Sequence, residues 1–330
     1  MLKFSPLNYK RLLQATTMNV EYAGAEANVA VSLANYGINS KFVSKLPAND
    51  FGDAAINTLR HYGVDISEVV RGGYRIGIYF AEKGASQRPS KVIYDRSGSS
   101  IACAEPSDFD WNSIFEGVAW FHFTGITPAL SDSLASICLD ACKKAKSKGI
   151  TISCDLNFRR KLWSHEAAKR VMTELCQYVD VCIANEEDAA DVFGIKAEGS
   201  DANSGIINEK SYVSVAQQLC DCFGFKYVAI TLRESLSASD NNWSAILYDE
   251  RQVYNSRKYP IHIVDRIGGG DSFAAGLIYG LHEYKEPQKA LDFAVAASCL
   301  KQTIEGDFNL ASVVEVENLM TSTGIGRIQR

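Results

Sequence analysis

Two periods of apolar residues divide the chain. From position 106 onward, continuous apolar runs of strand length (118–123, 151–155, 181–184, 227–232) alternate with stretches in which apolar residues recur at helical spacing (131–148, 164–178, 186–193 and a segment ending at Cys222). Runs apolar throughout predict strands covered on both faces, and their alternation with helices predicts a parallel sheet between two helical layers. The polar stretch 196–211 predicts a loop. Ahead of this region, Ala27, Ala30, Val31 and Ala34 fall on one face of a predicted helix, 25–36, stopped by Gly37; a short strand (40–46) and a helix (about 51–62, ending on Gly63) follow. Between 74 and 101 the texture changes: residues alternate over 75–81 and 91–96, with polar 82–90 between them. That predicts a hairpin, either a separate flap or an extension of the main sheet. A second hairpin (245–248, 252–254) and helices from Gln288 and Leu310 complete the chain, and residues 1–6 read as the tail of a strand.

The candidate chemistry centres on Asp265-Arg-Ile-Gly-Gly-Gly-Asp271. Ile261, Ile263 and Val264 approach it like a strand, and Phe273, Ala274, Leu277, Ile278 and Leu281 leave it at helical spacing. Gly268, Gly269 and Gly270 let the backbone turn sharply and approach a ligand, while the helix start offers unpaired N–H groups and a positive dipole end, an anion site. Asp271 is either the N-cap of that helix or a base that accepts the proton of an attacking hydroxyl. A dinucleotide fingerprint would need glycine where Phe273 stands, and no Walker sequence occurs.

Ligands of open parallel sheets lie beyond the carboxyl ends of the strands. That rule selects Thr124, Asp155, Asn157, Arg159, Asn185 to Asp188, Thr231 and Arg233 around one crevice. Glu187 and Asp188 can hold Mg²⁺ through its waters, or they merely suit a helix N-terminus. Arg159, and Arg96 on the predicted hairpin two residues after Tyr94, can grip a carboxylate or phosphate, or form surface salt bridges. Gly24, with Asn28 one turn on, lets a ligand's hydroxyls approach the backbone, or is an ordinary turn.

Composition narrows the function classes. With 330 residues, 46% of them hydrophobic, the chain can bury one large core, and a net charge of −5 argues against nucleic acid or an anionic membrane as partner. Nine cysteines, an odd number without metal-ligand spacing, suit reduced thiols in a cytoplasmic protein; Cys138, Cys142, Cys220 and Cys222 fit buried helix positions. There is no apolar run of about 18 residues and no leader-like start.

Together these segments resemble the ribokinase-like carbohydrate kinases, the PfkB family. The glycine turn ending on Asp271 is similar to that family's second signature, and Gly24-Ala-Glu-Ala-Asn28 to its first. Within the family the details look like the 2-keto-3-deoxygluconate kinases: Tyr94-Asp-Arg96-Ser-Gly-Ser, Phe123-Thr-Gly-Ile, Asp155-Leu-Asn-Phe-Arg159 and Gly306-Asp307-Phe-Asn. The resemblance runs over almost the whole chain. It implies one ribokinase-like three-layer αβα domain over residues 1–330, with a mostly parallel central sheet. It also implies a small β lid from about 74–101 with a contribution from 10–23. The implied reaction is transfer of phosphate from ATP, with Mg²⁺, to the 6-hydroxyl of a sugar acid. By position, Asp271 matches the family's base and Gly268 to Gly270 its anion hole. Gly24, Asn28, Tyr79, Tyr94, Arg96, Arg159 and Asp307 match sugar-acid contacts. Asn185, Thr231 and Arg233 fall at the nucleotide, and Glu187 and Asp188 at the metal shell. The family's leading Gly-Glu strand has no counterpart before Leu2, so either the chain start is misplaced or the sheet is short of one member. Pairing of two copies through the lid, by Ile76, Ile78 and Phe80, is also expected. Two alternatives stand beside this reading: a kinase for another sugar such as fructose or ribose, and a sugar-acid binding protein without turnover.

Overall fold

The alternating runs build a seven-stranded sheet with helices on both faces. The structure, a computed structural model, describes residues 1–199 and 209–321. In chain order its elements are β1 (Leu2–Pro6), β2 (Met18–Tyr22), α1 (Ala25–Asn35), β3 (Ser44–Leu46), α2 (Asp50–His61), β4 (Val69–Arg71), β5 (Ile78–Glu82), β6 (Lys91–Asp95), α3 (Trp111–Ile114), β7 (Trp120–Thr124) and α4 (Asp132–Ser147). There follow β8 (Thr151–Asp155), α5 (His165–Cys176), β9 (Val181–Ala184), α6 (Asp188–Phe193), α7 (Glu209–Phe223), β10 (Tyr227–Ser235), β11 (Asp240–Tyr248), β12 (Val253–Asn255), β13 (Tyr259–His262), α8 (Gly269–Glu283), α9 (Pro287–Lys301) and α10 (Val313–Thr321). The loop expected over 196–211 lies largely outside the described residues, and its last positions, 209–211, already belong to α7.

The large sheet runs β12-β11-β10-β9-β8-β7, with β13 paired to β11. It is parallel from β7 to β10 and antiparallel from β10 outward. Successive side chains point to opposite faces, so each buried strand feeds two cores. Cys182, Ala184, Val228 and Ile230 pack with α4, α5, α6 and α7; Val181, Ile183, Ala229 and Leu247 pack with α1, α8, α9 and α10. On the second face α8 and α9 interlock through small residues. A Cβ on Gly280 would lie 2.5 Å from Ala290 Cα, and one on Gly276 2.8 Å from Ala294 Cα.

Among the described residues no strand lies on the outer side of β7. A cavity of about 840 Å³ opens there, between β7, α1, α4 and the segment around β3.

The hairpin predicted between 74 and 101 is β5 and β6, and it belongs to a four-stranded sheet of order β2-β1-β5-β6. Residues 2–6, read as a strand tail, are an inner strand of that sheet. Register sorts its two faces. Lys3 stands beside both Glu21 and Tyr79, and Tyr79 beside Tyr94; Phe4 stands beside both Val20 and Phe80, and Phe80 beside Ile93. One row is polar and the next apolar. Of the residues expected on the open apolar face, Ile76 is buried and Ile78 and Phe80 are half-buried; the outward apolar row has Val20 and Ile93 exposed at its ends with half-buried Phe4 and Phe80 between them. All nine cysteines are free; seven are buried, but Cys222, expected inside, is exposed because it falls on the outer face of α7.

Candidate active site

The glycine turn links β13 to α8. Gly268 is the N-cap, with φ of 82°, and a Cβ there would lie 2.0 Å from the carbonyl oxygen of Asp307. Only glycine satisfies both the left-handed backbone and that approach. Ser298 Oγ donates to the Gly269 carbonyl at 2.7 Å, and Asp265 Oδ1 accepts from Ile267 N at 3.2 Å. Nothing lies within 4 Å of where a Gly270 Cβ would stand. The open side of the turn faces the crevice at the start of a fifteen-residue helix, where Gly269 N donates to Arg266 O at 3.3 Å and the next N–H groups, of Gly270 and Asp271, are left for a ligand.

Asp271 sits in the first turn of α8, partly exposed at the crevice wall. Its Oδ2 accepts from Asn28 Nδ2 at 2.6 Å, and Asn28 Oδ1 accepts from Gly24 N at 3.2 Å. The two halves of the predicted site, 243 residues apart, thus meet in one hydrogen bond. Removal from water pushes Asp271 up to about 7; the Asn28 hydrogen bond and Arg159 oppose that shift, and Asp307 and Glu26 add to it. A carboxyl group so tuned is a proton acceptor suited to neutral pH.

Arg96 lies over the Tyr94 ring at 3.8 Å. Burial lowers its pKa, with Tyr94 and Glu26 opposing and Arg159 adding to the effect, so the two predicted arginines feel each other. Arg159 donates from Nη1 to its neighbour's carbonyl, Phe158 O, at 2.9 Å. Tyr79 and Asp307, expected to touch the sugar, are buried and bond to each other, and Lys3 Nζ donates to Asp307 Oδ1 at 2.6 Å. Their polar atoms are spent inside the protein, and they join the small sheet to the loop that presses on Gly268.

The acidic segment after β9 divides. Asp188 points inward, its two oxygens accepting from Phe158 N (3.0 Å) and Asn185 N (2.9 Å), and Asn185 Oδ1 accepts from the N–H groups of Glu187 and Asp188. Asp188 therefore closes a turn, and burial raises its pKa. Glu187 is exposed. Arg233 pairs with Glu186 at 3.1 Å, and Thr231 Oγ1 donates to Ala184 O at 3.4 Å. Burial, then Asp188 and Asp271, raise Asp155 well above the ordinary carboxylate range. Among the described residues no group of three or more His, Cys, Asp or Glu is arranged to hold a metal directly. The donors fit an ion that arrives with its waters and a phosphate.

Sequence reasoning passed over Glu26, whose Oε1 accepts from Thr124 N (3.2 Å), Thr124 Oγ1 (2.8 Å) and Thr127 Oγ1 (2.6 Å), tying α1 to the end of β7. Its position inside Gly24-Ala-Glu-Ala-Asn28 was the available signal. Lys3 and Lys301 were also missed; each is a lone lysine in an otherwise buried strand or helix end.

Known proteins share this fold. The profile of the pfkB family carbohydrate kinases matches residues 1–309. A crystal structure of 2-dehydro-3-deoxygluconokinase from Thermotoga maritima is 51% identical, with a TM-score of 0.94, covering 98% of this chain and 96% of that one. A 2-dehydro-3-deoxygalactonokinase of Haloferax volcanii is 30% identical over 99% of this chain and 96% of its own length. A 2-dehydro-3-deoxygluconokinase of Thermoproteus tenax is 29% identical over 90% of this chain and 85% of its own length. No helix among the described residues is long and apolar enough to cross a membrane.

Proposed function

The chain belongs to the pfkB family of carbohydrate kinases, and from that membership we propose that it phosphorylates the 6-hydroxyl of 2-keto-3-deoxygluconate with ATP. The observation that carries this reading is Asp271, raised to about 7, beside the open N–H groups of α8 and within the field of Arg159. Two guanidinium groups close enough to act on each other, Arg96 and Arg159, suit a substrate with a carboxylate, which a neutral sugar lacks. The names of the Thermotoga and Thermoproteus relatives support the same substrate.

Asp271 accepts the proton of the sugar hydroxyl as the hydroxyl attacks the terminal phosphoryl group. The N–H groups after Gly268 bind the oxygens on which charge builds. Asn28 aims the carboxylate, and Gly24 and Tyr94 flank the sugar. Asn185, Thr231 and Arg233 line the nucleotide end. Glu187 would hold Mg²⁺ through its waters, and the ion would supply charge neutralisation along the phosphates. The sheet of 74–101, with β2 from the 10–23 segment and β1, serves as a lid: its polar row covers the crevice and excludes water from the reaction. Two copies pair through its apolar row, Val20, Phe4, Phe80 and Ile93. Nine free thiols suit a cytoplasmic setting.

Steady-state assay of ADP production with ATP, Mg²⁺ and a panel of sugars tests the reading. The gluconate-derived acid should give the highest kcat/KM, ahead of its galactonate epimer, fructose and ribose. Asp271→Asn should lower kcat by about 10²- to 10⁴-fold with ATP binding retained. Binding of the acid without ADP release, or full turnover in that variant, would refute it.

A further inference from the structure

Lys301 ends α9, a helix otherwise apolar where it meets the core, and it is fully buried (0% exposed). Its Nζ donates to two main-chain carbonyls, Asp265 O at 3.2 Å and Ile304 O at 3.4 Å. The first belongs to the residue that opens the glycine turn. The second precedes Gly306 and Asp307, whose carbonyl crowds Gly268. The end of the lysine stem also lies against the turn: a Cβ on Gly268 would be 3.3 Å from Lys301 Cε. Lys301 therefore touches both segments that shape the anion cradle, the glycine turn and the 304–307 loop, without reaching into the crevice.

Lys3, the other fully buried lysine, works differently. Its Nζ meets carboxylates: Asp307 at 2.6 Å, Glu21 at 2.9 Å and Asp265 at 3.6 Å. Lys301 has carbonyls as its partners, with the carboxylates of Asp265 and Asp307 acting on it through space. Main-chain carbonyls gathered around one positive charge, close to carboxylates, are the surroundings an inorganic monovalent cation also takes. Burying an ammonium group is costly, and it persists where its position is over-determined by such partners.

We propose that the Lys301 ammonium is a resident cation of the phosphoryl site, a positioning residue that clamps Asp265 and Ile304 together so that the open N–H groups at the end of the glycine turn stay aimed. The enzyme consequently has no need of a free monovalent cation for this purpose. The proposal rests on the kinase reading for its catalytic consequence, and on the clamp alone for its structural one.

The test compares wild type, Lys301→Ala and Lys301→Met in potassium, ammonium and tetramethylammonium buffers of equal ionic strength, following turnover and the thermal midpoint. Wild type should be indifferent to the cation. Lys301→Ala, which leaves a space lined by carbonyls, should lose about 10²-fold in kcat in tetramethylammonium. Ammonium should restore much of that loss and raise its thermal midpoint. Lys301→Met fills the space without charge, so it should lose turnover similarly and gain nothing from ammonium. Strong potassium activation of the wild type, or Lys301→Ala that ignores ammonium in both readouts, would overturn the proposal. Should the wild type phosphorylate no sugar at all, the kinase reading fails, while the ammonium-dependent midpoint of Lys301→Ala still decides whether the clamp exists.

Discussion

The two ends of the crevice are built to different standards. At the phosphoryl end every group is held from behind: Gly268 by the Asp307 carbonyl, the Gly269 carbonyl by Ser298, and Asp271 by Asn28. At the proposed sugar end Arg96 leans on a tyrosine ring that is 39% exposed, Arg159 among the described residues bonds to the carbonyl of the preceding residue alone, and the 840 Å³ cavity beside β7 is lined in part by Gly24 and Arg96. Donors that must meet charge as it develops gain from immobility, because no reorganisation is then required during the reaction. Guanidinium groups that grip a ground-state carboxylate need only converge once substrate is present. Rigidity sits where the chemistry is, and freedom where recognition is.

The largest effect should come from disturbing the rigid end. Gly268→Ala places a methyl group where the Asp307 carbonyl lies 2.0 Å away and forces an L-residue into φ of 82°. The conformation alone costs about 1–2 kcal/mol, and the clash must move either the turn or the 306–307 loop. Turnover should fall by about 10²-fold or more, with a lower thermal midpoint, as read by steady-state kinetics and circular dichroism. Near-normal kcat would show that the cradle tolerates displacement and would erase the contrast between the two ends.

At the sugar end the effect should be smaller and confined to recognition. Arg159→Lys keeps the charge but loses the planar fork. The KM for the sugar acid should rise about 10- to 100-fold, the equivalent of one charge-assisted hydrogen bond, with kcat changed far less. A neutral hexose should not discriminate between the two enzymes. If kcat falls while KM holds, Arg159 belongs with the rigid machinery and the division is drawn in the wrong place.

The same contrast explains what was legible in the sequence. The glycine turn is local: its residues are consecutive, each with a backbone reason to be there, so the cradle could be read directly. The parallel strands were equally plain, because burial on both faces makes them apolar throughout. By pattern alone the small sheet was read as a hairpin, with 10–23 added to it only through the family resemblance, since β1 pairs with residues more than seventy positions away, Leu2 beside Ile78, and no local pattern announces such a partner. β11 begins at Asp240, five residues before the expected start, because its polar opening Asp-Asn-Asn is made a strand by pairing with β10 and β13. The last helix starts at Val313, not Leu310, and there a local signal was overlooked: Ser312 and Glu315 form a reciprocal cap, the Ser312 N–H donating to Glu315 Oε2 at 2.8 Å and the Glu315 N–H to Ser312 Oγ at 3.3 Å. Tyr79 and Asp307 were read as sugar contacts, because their mutual bond and the bond to Lys3 depend on three distant segments meeting.

The finest probe of the comparison is Asn28, which belongs to the sugar end by sequence and to the phosphoryl end by its bond. Asp271 is pushed up to about 7 by burial, and the Asn28 hydrogen bond holds it back from rising further. A base must be unprotonated to act, so kcat/KM should climb with pH through about 7 and level off above it. Asn28→Ala removes a donor to the charged form, which moves that limb to higher pH. At pH 6 the variant should therefore lose a few-fold more activity than on the alkaline plateau, since each unit of displacement costs about tenfold on the acid side. Stability carries the opposite sign. A carboxyl group whose folded pKa lies above its unfolded value binds more protons when folded, so its contribution weakens as pH rises from the ordinary carboxylate range through about 7. Asn28→Ala should consequently be destabilised more at pH 8 than at pH 5, as thermal melts at the two values would read. An activity loss equal at every pH, with a pH-independent stability change, would reduce Asn28 to a packing residue of α1 and leave the tuning of Asp271 to burial alone.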